Sequence, residues 1–374
     1  MTPTPILVSA GEVSGDMYAA RLAKALQQRA NVSLFGLGGT HMHEAGVELV
    51  ADNSEVAVVG ISEVFQRLPV LRRAMRRLVF EAERRKPPLA VLVDFPGFHL
   101  RLARKLRRRG IRNVYFVCPQ FWAWRPWRAR LVRRRFAQAL CIFPFEEEFY
   151  RDAGVRVQFI GHPLVGEVKA GASREEFFRA HHLDHAIPLV TLLPGSRPGE
   201  LRHHLPVLAE ACRLLHHERP IQFVVAAAPG MDMIEWGASL SKKVAIEIVA
   251  GATYDALAAA DVAVVSSGTA TIETALLDTP MVVVYRLSRV TAFVAKPLVR
   301  TPFFAMVNLV AGRQVVPELI QKDFTPQRLA SEVSHLLDSA AARDEMRRGL
   351  AMARARLGPP GAVERAAEII ARMI

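Results

Sequence analysis

Residues 262–273 read VAVVSSGTATIE, in which an apolar strand-like run passes through small residues into a helical pattern. The small residues Ser267, Gly268 and Thr269 let the backbone approach a ligand closely. The N–H groups that open the next helix favour an anion, so a nucleotide diphosphate fits there. Glu273 lies about one turn into the helix, where its carboxylate can accept hydrogen bonds from ribose hydroxyls. The alternative is that these residues only cap the helix.

A second loop of the same kind follows the apolar segment LVTLL at 189–193. It reads PGSRPGE over residues 194–200 and leads into another helical pattern. Arg197 suits a pyrophosphate, because a guanidinium presents a permanently charged fork that matches phosphate oxygens and stabilises a departing phosphate group. A surface turn with a solvated arginine is the alternative. Two such loops in one half of the chain favour the phosphate site.

The length of 374 residues exceeds what one hydrophobic core usually holds, so two domains are expected. Hydrophobic residues make up 51% and charged residues 23%, a balance typical of an ordered globular protein. Cys118, Cys141 and Cys212 are scattered and lack metal-ligand spacing, which indicates a reducing compartment without structural disulfides. Residues 1–5 show no secretory signal, and no apolar run has membrane-spanning length. We therefore expect a cytoplasmic protein, unless it rests on a membrane surface.

Positive charge is the compositional oddity of the chain. Lysine and arginine number 49 against 36 acidic residues, a formal charge of +13, and most of the excess lies in the first half. This balance implies nucleic acid, an anionic lipid surface or a phosphorylated substrate as partner, with solvated helix faces as the alternative. The basic residues form three groups: Arg72, Arg73, Arg76, Arg77, Arg84, Arg85 and Lys86; Arg101, Arg104, Lys105, Arg107, Arg108, Arg109 and Arg112; and Arg125, Arg128, Arg130, Arg133, Arg134 and Arg135.

One segment separates these options. Apolar residues recur at helical spacing between residues 61 and 79, with most arginines on the other side, and Pro69 is expected to start a second helical piece. Such a helix can lie at a lipid interface, with apolar groups among acyl chains and guanidinium groups on phosphates. An ordinary amphipathic helix packed on its own sheet is the alternative. The residues predicted to contact a membrane are Ile61, Val64, Phe65, Leu68, Leu71, Arg72 and Met75.

Strand and helix patterns alternate along the whole chain. Apolar strand patterns occur in the first half near Ile6, Val32, Leu89, Val114 and Ala139, and in the second half near Leu189, Ile221, Ala245, Val262 and Met281. This alternation predicts an α/β fold with two Rossmann-like doubly wound domains that face each other across a cleft. We expect an N-terminal domain over residues 1–165 and a C-terminal domain over 166–345. A last helix is expected over 346–374, and the sequence does not decide whether it packs back on the first domain.

Neither half carries a dinucleotide or P-loop signature. Gly11 and Gly15 do not complete Gly-x-Gly-x-x-Gly, and no Gly-x-x-x-x-Gly-Lys-Ser/Thr or Asp-x-Asp pair occurs. A metal-independent enzyme that uses a nucleotide sugar and no cofactor fits better. Two Rossmann-like halves, with phosphate loops in the second and acceptor groups in the first, describe the glycosyltransferase-B architecture.

An ordered set of motifs spans nearly the whole chain. The motifs are AGEVSGD at 10–16, PQFWAWR at 119–125, FIGHP at 159–163, LPGSR at 193–197, SGTATIE at 267–273, NLVAGR at 308–313 and PELIQ at 317–321. In this order they resemble those of the lipid-A-disaccharide synthase family. Each motif is weak alone, but the ordered set is specific.

The resemblance implies a reaction and its partners. The family transfers 2,3-diacylglucosamine from UDP-2,3-diacylglucosamine to 2,3-diacylglucosamine 1-phosphate, which releases UDP and forms a β-1′,6-linked disaccharide phosphate. The anomeric centre inverts, and no metal is needed. Because both substrates are anionic and acylated, we expect a peripheral enzyme on the inner face of the cytoplasmic membrane, with no nucleic acid as partner. The sequence does not decide whether the protein forms a homodimer.

Inversion by single displacement needs a base that takes a proton from the primary hydroxyl of the acceptor. In the family this role falls to the aspartate that matches Asp94, which ends an apolar strand where catalytic groups of such sheets lie. A helix N-cap is its alternative role. Many relatives read Asp-x-Pro-Asp-Phe-Asn here, whereas this chain has Gly97 and His99 in place of the last Asp and the Asn. We therefore expect His99 to share in proton transfer or to bind the acceptor phosphate, although a structural histidine is the commoner case.

The other site residues follow from chemistry and from the resemblance together. The donor diphosphate and ribose are assigned to Arg197, Ser267, Gly268, Thr269 and Glu273. The acceptor or the donor sugar is assigned to Ser14, Gly15 and Asp16. Three residues match the family's late donor-side motif, and the alternative is that they are ordinary polar residues on the surface: Asn308, Glu318 and Gln321. Trp122 and Trp124 beside Arg125 suit sugar stacking, a lipid interface or the core of the first domain.

Two other functions compete with this assignment. Another transferase, or an epimerase, that acts on UDP-N-acetylglucosamine shares the C-terminal loops but lacks the arginine-flanked apolar helices and the loop at 14–16. A nucleic-acid-binding protein uses the same arginine runs. It needs neither Arg197 nor Glu273, and it carries base-stacking aromatic residues, which are sparse here at 7%.

Overall fold

The computed structural model describes residues 2–56, 61–227, 244–288 and 301–374, with backbone alone at residues 13, 55, 56 and 61–67. The chain divides into two compact units. Unit 1 comprises Met1–Val165 and Leu357–Ile374, and unit 2 comprises Gly166–Arg356. Each unit is built on one parallel sheet, so the predicted pair of Rossmann-like domains is confirmed.

The strands of unit 1 are β1 (Thr4–Ala10), β2 (Val32–Gly38), β3 (Glu48–Asp52), β4 (Leu89–Val93), β5 (Arg112–Phe116), β6 (Gln138–Cys141) and β7 (Val157–Phe159). They form a sheet in the order β3-β2-β1-β4-β5-β6-β7, with every pair parallel. Its helices before the domain boundary are α1 (Val13–Gln27), α2 (Thr40–Glu44), α3 (Asn53–Val56), α4 (Ile61–Arg85), α5 (Pro96–Arg107), α6 (Phe121–Trp124), α7 (Ala129–Arg135) and α8 (Pro144–Asp152). A 3₁₀ helix, Pro126–Arg128, lies between α6 and α7.

The strands of unit 2 are β8 (Leu189–Leu193), β9 (Gln222–Ala227), β10 (Ile246–Ala250), β11 (Val262–Ser266), β12 (Met281–Tyr285) and β13 (Glu318–Ile320). Their order is β10-β9-β8-β11-β12-β13, again with parallel pairing. Its helices are α9 (Arg174–Ala180), α10 (Pro198–Glu218), α11 (Thr253–Ala259), α12 (Ala270–Leu276), α13 (Met306–Ala311), α14 (Pro326–Asp338) and α15 (Ala340–Arg356). A 3₁₀ helix spans Gln321–Asp323.

The last helix, α16 (Ala362–Ala371), packs against α1 in unit 1. Three hydrogen bonds join the returning chain to the rest of unit 1: the His162 N–H donates to the Leu357 carbonyl, Arg365 Nε donates to the Ile160 carbonyl, and Arg112 donates to the Met373 carbonyl. The expected boundary at residue 346 falls inside α15, which belongs to unit 2.

The order of the strands reverses once in each sheet, between β1 and β4 and between β8 and β11. In a parallel α/β sheet, the loops that leave two such neighbouring strands at their carboxyl ends open a crevice for ligands. Unit 1 therefore offers the loops that begin at Gly11 and Asp94. Unit 2 offers the loops that begin at Pro194 and Ser267.

Helix α4 is one continuous helix with Pro69 in its interior, so the predicted second helical piece at Pro69 is wrong. Met75 is 9% exposed and belongs to the core of unit 1 together with Leu78, while Leu71 packs against that core half-buried. The predicted membrane contact of Met75 is therefore corrected, because its side chain fills the core instead. Leu68 is half-buried and Arg72 is exposed, whereas the side chains of Ile61, Val64 and Phe65 lie outside the described residues. Within the described ranges, no helix is long and apolar enough to cross a membrane.

Candidate active site

Asp94 follows β4 directly and adopts a left-handed backbone conformation with φ 49°. Phe95 repeats this conformation with φ 47°, and neither residue is a glycine. Left-handed backbone at such residues costs about 1–3 kcal/mol each and persists where the surrounding structure holds it. The neighbouring loop accommodates this turn, because a Cβ on Gly11 would lie 2.2 Å from the Phe95 ring. The two loops at the strand reversal of unit 1 thus touch at Gly11 and Phe95.

Three hydrogen bonds fix the backbone of Asp94. Its N–H donates to the Phe116 carbonyl at 3.1 Å. Its carbonyl oxygen accepts from the Tyr115 hydroxyl at 2.9 Å and from His99 Nδ1 at 2.7 Å. The carboxylate is therefore carried on a backbone that is tied to β5 and to α5, which is the rigidity a positioned base requires.

His99 lies beneath this loop and not at its surface. It is completely buried, and burial lowers the pKa of its imidazole to about 4. The neutral ring donates through Nδ1 to the Asp94 carbonyl and accepts from Ser9 Oγ at Nε2, 2.8 Å away. The predicted acceptor contact of His99 is corrected: the ring has no exposed surface, and it positions the Asp94 loop.

The Ser14-Gly15-Asp16 segment also divides between surface and interior. Asp16 is 3% exposed, and its carboxylate accepts from the N–H groups of Gly39, His41 and Met42 at 2.7, 3.1 and 3.3 Å. It therefore caps the start of α2, and its predicted sugar contact is corrected. Ser14 is exposed, and Gly15 is buried against Ala10 and Val93.

Glu146 is a buried acid whose pKa is influenced by Asp94, and the sequence analysis did not single it out. Its carboxylate accepts from Trp122 Nε1 at 3.1 Å and from the N–H groups of Ile142 and Phe143 at 3.3 Å each. Burial raises its pKa to about 8, the three donors oppose that rise, and the negative charge of Asp94 adds to it. The signal in the sequence is PFEEE directly after β6, where an acid can cap a new helix.

In unit 2, the loop after β8 is folded around Glu200. Its Oε2 accepts from the Ser196 N–H at 3.2 Å, and a Cβ on Gly195 would lie 2.6 Å from the same oxygen. Arg197 stands outside this turn with its side chain 64% exposed and one contact of 3.3 Å to Glu200 Oε1. Its guanidinium therefore keeps donors for a further anion.

His204, a residue that the sequence analysis did not single out, joins two loops of unit 2. It is completely buried on α10, with Nδ1 2.7 Å from the Pro194 carbonyl. Its Nε2 accepts from the Arg286 N–H at 2.9 Å, so the chain after β8 is tied to the chain after β12. Burial lowers its pKa, which favours the neutral ring that this pair of hydrogen bonds requires.

The loop after β11 presents small residues, as the pattern predicts. Gly268 has φ 148°, and among the described residues no heavy atom beyond its chain neighbours lies within 4 Å of a Cβ built there, so the loop leaves space at this point. Ser267 Oγ donates to the Phe304 carbonyl at 2.7 Å, and Thr269 is exposed. Glu273 is half-buried one turn into α12, accepts from the Tyr254 hydroxyl at 3.3 Å, and has its pKa raised by burial.

The residues of the late motif, Asn308, Glu318 and Gln321, bond mainly to other parts of the polypeptide. Asn308 is completely buried: its Oδ1 accepts from the N–H groups of Val315 and Val316, and its Nδ2 donates to Glu318 Oε1 at 2.8 Å. Its predicted donor contact is therefore corrected. Glu318 accepts from the backbone of Phe304 and Ala305 at 2.9 Å each, which fixes the segment that meets Ser267. The carbonyl of Gln321 accepts from Arg286.

Comparison with known proteins identifies the family. The family model described as lipid-A-disaccharide synthetase matches residues 6–362. The lipid-A-disaccharide synthase of Myxococcus xanthus is 44% identical over 375 residues, which cover 100% of this chain and 98% of that protein. The Geobacter sulfurreducens enzyme of the same name is 39% identical over 372 residues, with 99% and 97% covered.

Solved structures show the fold. MurG of Acinetobacter baumannii superposes with a TM-score of 0.61 at 14% identity and covers 99% of both chains. The UDP-GlcNAc 2-epimerase of Neisseria meningitidis, solved with UDP-GlcNAc, gives a TM-score of 0.64 at 11% identity and covers 98% of both. The fold is that of the glycosyltransferase-B enzymes. The chain belongs to the lipid-A-disaccharide synthase family, glycosyltransferases of lipid A biosynthesis.

Proposed function

We propose that this enzyme joins UDP-2,3-diacylglucosamine to 2,3-diacylglucosamine 1-phosphate by a single inverting displacement that needs no metal. The Asp94 carboxylate takes the proton of the acceptor's primary hydroxyl. The oxygen forms a bond to the anomeric carbon while the bond from that carbon to the diphosphate breaks. UDP leaves with the electron pair, and the products are the β-linked disaccharide 1-phosphate and UDP.

The placement of Asp94 carries the proposal. It lies at the carboxyl end of β4, at the strand reversal of unit 1, where ligands of parallel α/β sheets bind. Its left-handed backbone and the hydrogen bonds from Tyr115 and His99 fix the direction in which the carboxylate leaves the chain. Strain of this kind, held by buried partners, is typical of groups that must be positioned for chemistry.

The donor is assigned to the corresponding loops of unit 2. The exposed guanidinium of Arg197 and the open loop at Gly268 can bind a diphosphate and stabilise the charge that develops on it. Glu273, with its Oε1 already bonded to Tyr254, can accept from ribose hydroxyls through its other oxygen. Ser267 and Thr269 complete this set.

We also propose that the enzyme works on the inner face of the cytoplasmic membrane, because both substrates carry acyl chains. The outer side of α4 supports this: Arg72, Arg73, Arg76 and Arg77 are exposed, and Phe80 is 62% exposed beside them. Guanidinium groups can bind lipid phosphates while an exposed ring enters the interface.

The direct test is a turnover assay with both acylated substrates in detergent micelles, with disaccharide and UDP measured together. We expect equal amounts of both products, a β-linkage by NMR, and no loss of rate in excess EDTA. Asp94→Asn should lower kcat by about 1000-fold, because proton transfer and charge are both lost. Glu148→Gln removes an exposed carboxylate of α8 and serves as the control with normal rate.

Two results contradict the proposal. UDP release without disaccharide, or epimerisation of UDP-N-acetylglucosamine, would assign the chain another nucleotide-sugar reaction. Full activity in Asp94→Asn would reject the base while leaving the reaction in place.

A further inference from the structure

Arg125 and Arg128 of unit 1 contact the tryptophan rings of α6 and of the following 3₁₀ helix. The Arg125 guanidinium carbon lies 4.4 Å from the centre of the Trp124 ring. The same carbon of Arg128 lies 5.6 Å from Trp124, 5.4 Å from Trp127 and 5.9 Å from Phe121. Arg101 lies on α5, and its charge lowers the pKa of Arg128, after burial and the charge of Arg125. We name Arg101, Arg125 and Arg128 the cationic cluster.

Within the described part of the chain, the cationic cluster lacks a counter-ion. Among the residues that the structure describes, no carboxylate pairs with any of the three guanidinium groups, and Arg128 Nε is buried without a hydrogen-bond partner. Three like charges gathered in this way repel one another and favour the binding of an anion. An aromatic contact does not replace a counter-ion, because it leaves the N–H donors unused.

The position of the cationic cluster relates it to the base loop. Arg101 is the sixth residue of α5, about one and a half turns from the start of that helix. Helix α6 leaves the carboxyl end of β5, and its Trp122 bonds to Glu146, whose pKa responds in part to the charge of Asp94. Because β4 and β5 are parallel, the chain that enters α6 and Asp94 follow the same end of the sheet.

Two exposed tryptophan rings lie beside the cationic cluster. Trp127 is 60% exposed and Trp124 is 37% exposed. Trp127 also lines an open cavity of about 570 Å³ whose wall includes Pro126, Phe149, Arg130, Arg133 and Asp152. Aromatic rings beside unpaired guanidinium groups suit a molecule that carries both a phosphate and acyl chains.

We propose that the cationic cluster, with Trp124 and Trp127, binds the phosphate group of an acylated molecule. Two sources have this chemistry: the 1-phosphate of the acceptor sugar and the headgroup of an anionic phospholipid. The first source rests on the proposed function, and the second does not. Arg128 and Arg125 supply the donors, and Arg101 adds a positive charge from α5.

The test compares the double variant Arg125→Gln/Arg128→Gln with wild type and with Arg156→Gln. Arg156 is exposed before β7 at the opposite end of the sheet, so this control matches the loss of charge. In detergent micelles without phospholipid, we expect the acceptor KM of the double variant to rise about 10- to 100-fold, as the loss of charge-assisted hydrogen bonds predicts. The donor KM and the melting temperature should stay unchanged.

A second arm measures sedimentation with vesicles of phosphatidylcholine, with and without phosphatidylglycerol. If the double variant keeps its acceptor KM but loses binding to the anionic vesicles, the phosphate belongs to the membrane. Unchanged KM and unchanged vesicle binding would overturn the proposal. A lower melting temperature with parallel changes in both KM values would overturn it too, because it would make the arginines structural supports. If wild type forms no disaccharide, the proposed function fails, while the vesicle arm still tests the cationic cluster.

Discussion

The Nδ1–H of His99 donates to the backbone carbonyl of Asp94 over 2.7 Å, and this bond couples a buried ring to the proposed base. The same carbonyl accepts from Tyr115, so two side chains from different elements hold one peptide group. A carboxylate whose backbone is fixed in this way needs little reorganisation before it takes a proton.

His99→Ala should lower kcat by about 10-fold and leave the donor KM unchanged, because it frees the Asp94 loop without touching the donor loops. It should also destabilise the fold by about 2–4 kcal/mol, since Ser9 and Asp94 lose a buried partner. Steady-state kinetics and urea unfolding check both effects. Tyr115→Phe removes only the second bond to the carbonyl and should cost about 1 kcal/mol. Normal kcat in a folded His99→Ala enzyme would show that the base needs no support from the ring.

Acid should destabilise the protein through the same histidine. Its pKa is about 4 in the folded state and 6.5 in the reference state, so the unfolded chain binds the extra proton between these values. The free energy of unfolding therefore has its full value above pH 6.5, and it falls by about 3 kcal/mol as the pH drops to 4. His162, with a pKa of about 3, acts in the same direction. The difference between wild type and His99→Asn in urea unfolding from pH 7 to 4 isolates His99, and parallel curves would refute its burial.

Glu146 should produce the opposite pH dependence. Its pKa is about 8 in the folded state against 4.5, so the folded chain retains a proton that the unfolded chain loses between these values. Stability therefore declines as the pH rises from 5 to 8. Glu146→Gln should flatten this decline, and Glu146→Leu should cost about 3 kcal/mol, because the indole of Trp122 and two backbone N–H groups lose their acceptor. A Glu146→Gln curve as steep as that of wild type would show that another group titrates.

The strands and loops that depend on local sequence patterns were predictable from the sequence. The apolar runs that became β4, β8 and β11 and the small-residue loops after them were placed correctly, because a buried parallel strand has a continuous apolar signature. Burial of individual polar side chains was not predictable. Asp16 and Asn308 were read as ligand contacts, but their partners lie on other segments of the chain.

The same limit explains the residues that were missed. His204 bonds to the Arg286 N–H, 82 positions away, and no spacing rule relates them. The amphipathic pattern of α4 fits both a membrane and a sheet, and only the fold shows that Met75 faces the core.

His204→Leu should raise the donor KM by about 10-fold, because the loop that carries Arg197 loses its tie to the chain after β12. The acceptor KM should not change. His216→Leu, an exposed histidine on the same helix, is the matched control. A structural role alone lowers stability, so the deciding measurement is the pH profile of the donor KM. In wild type this KM should rise in acid, as protonated Nε2 can no longer accept, and in His204→Leu that rise should disappear.

Variants of Arg197 and Asn308 should separate an effect on the reaction from an effect on folding. Arg197→Ala should leave the melting temperature unchanged, because the side chain is largely exposed with one long contact to Glu200. It should lower kcat by about 100-fold through lost stabilisation of the leaving diphosphate.

Asn308→Ala should lower the melting temperature and cost about 2–4 kcal/mol of stability, because the N–H groups of Val315 and Val316 lose a buried acceptor, while kcat of the folded enzyme stays unchanged. Thermal melts and kcat on the folded fraction test both variants. If Asn308→Ala stays stable but loses donor affinity, the amide contacts the donor directly and is not a structural support.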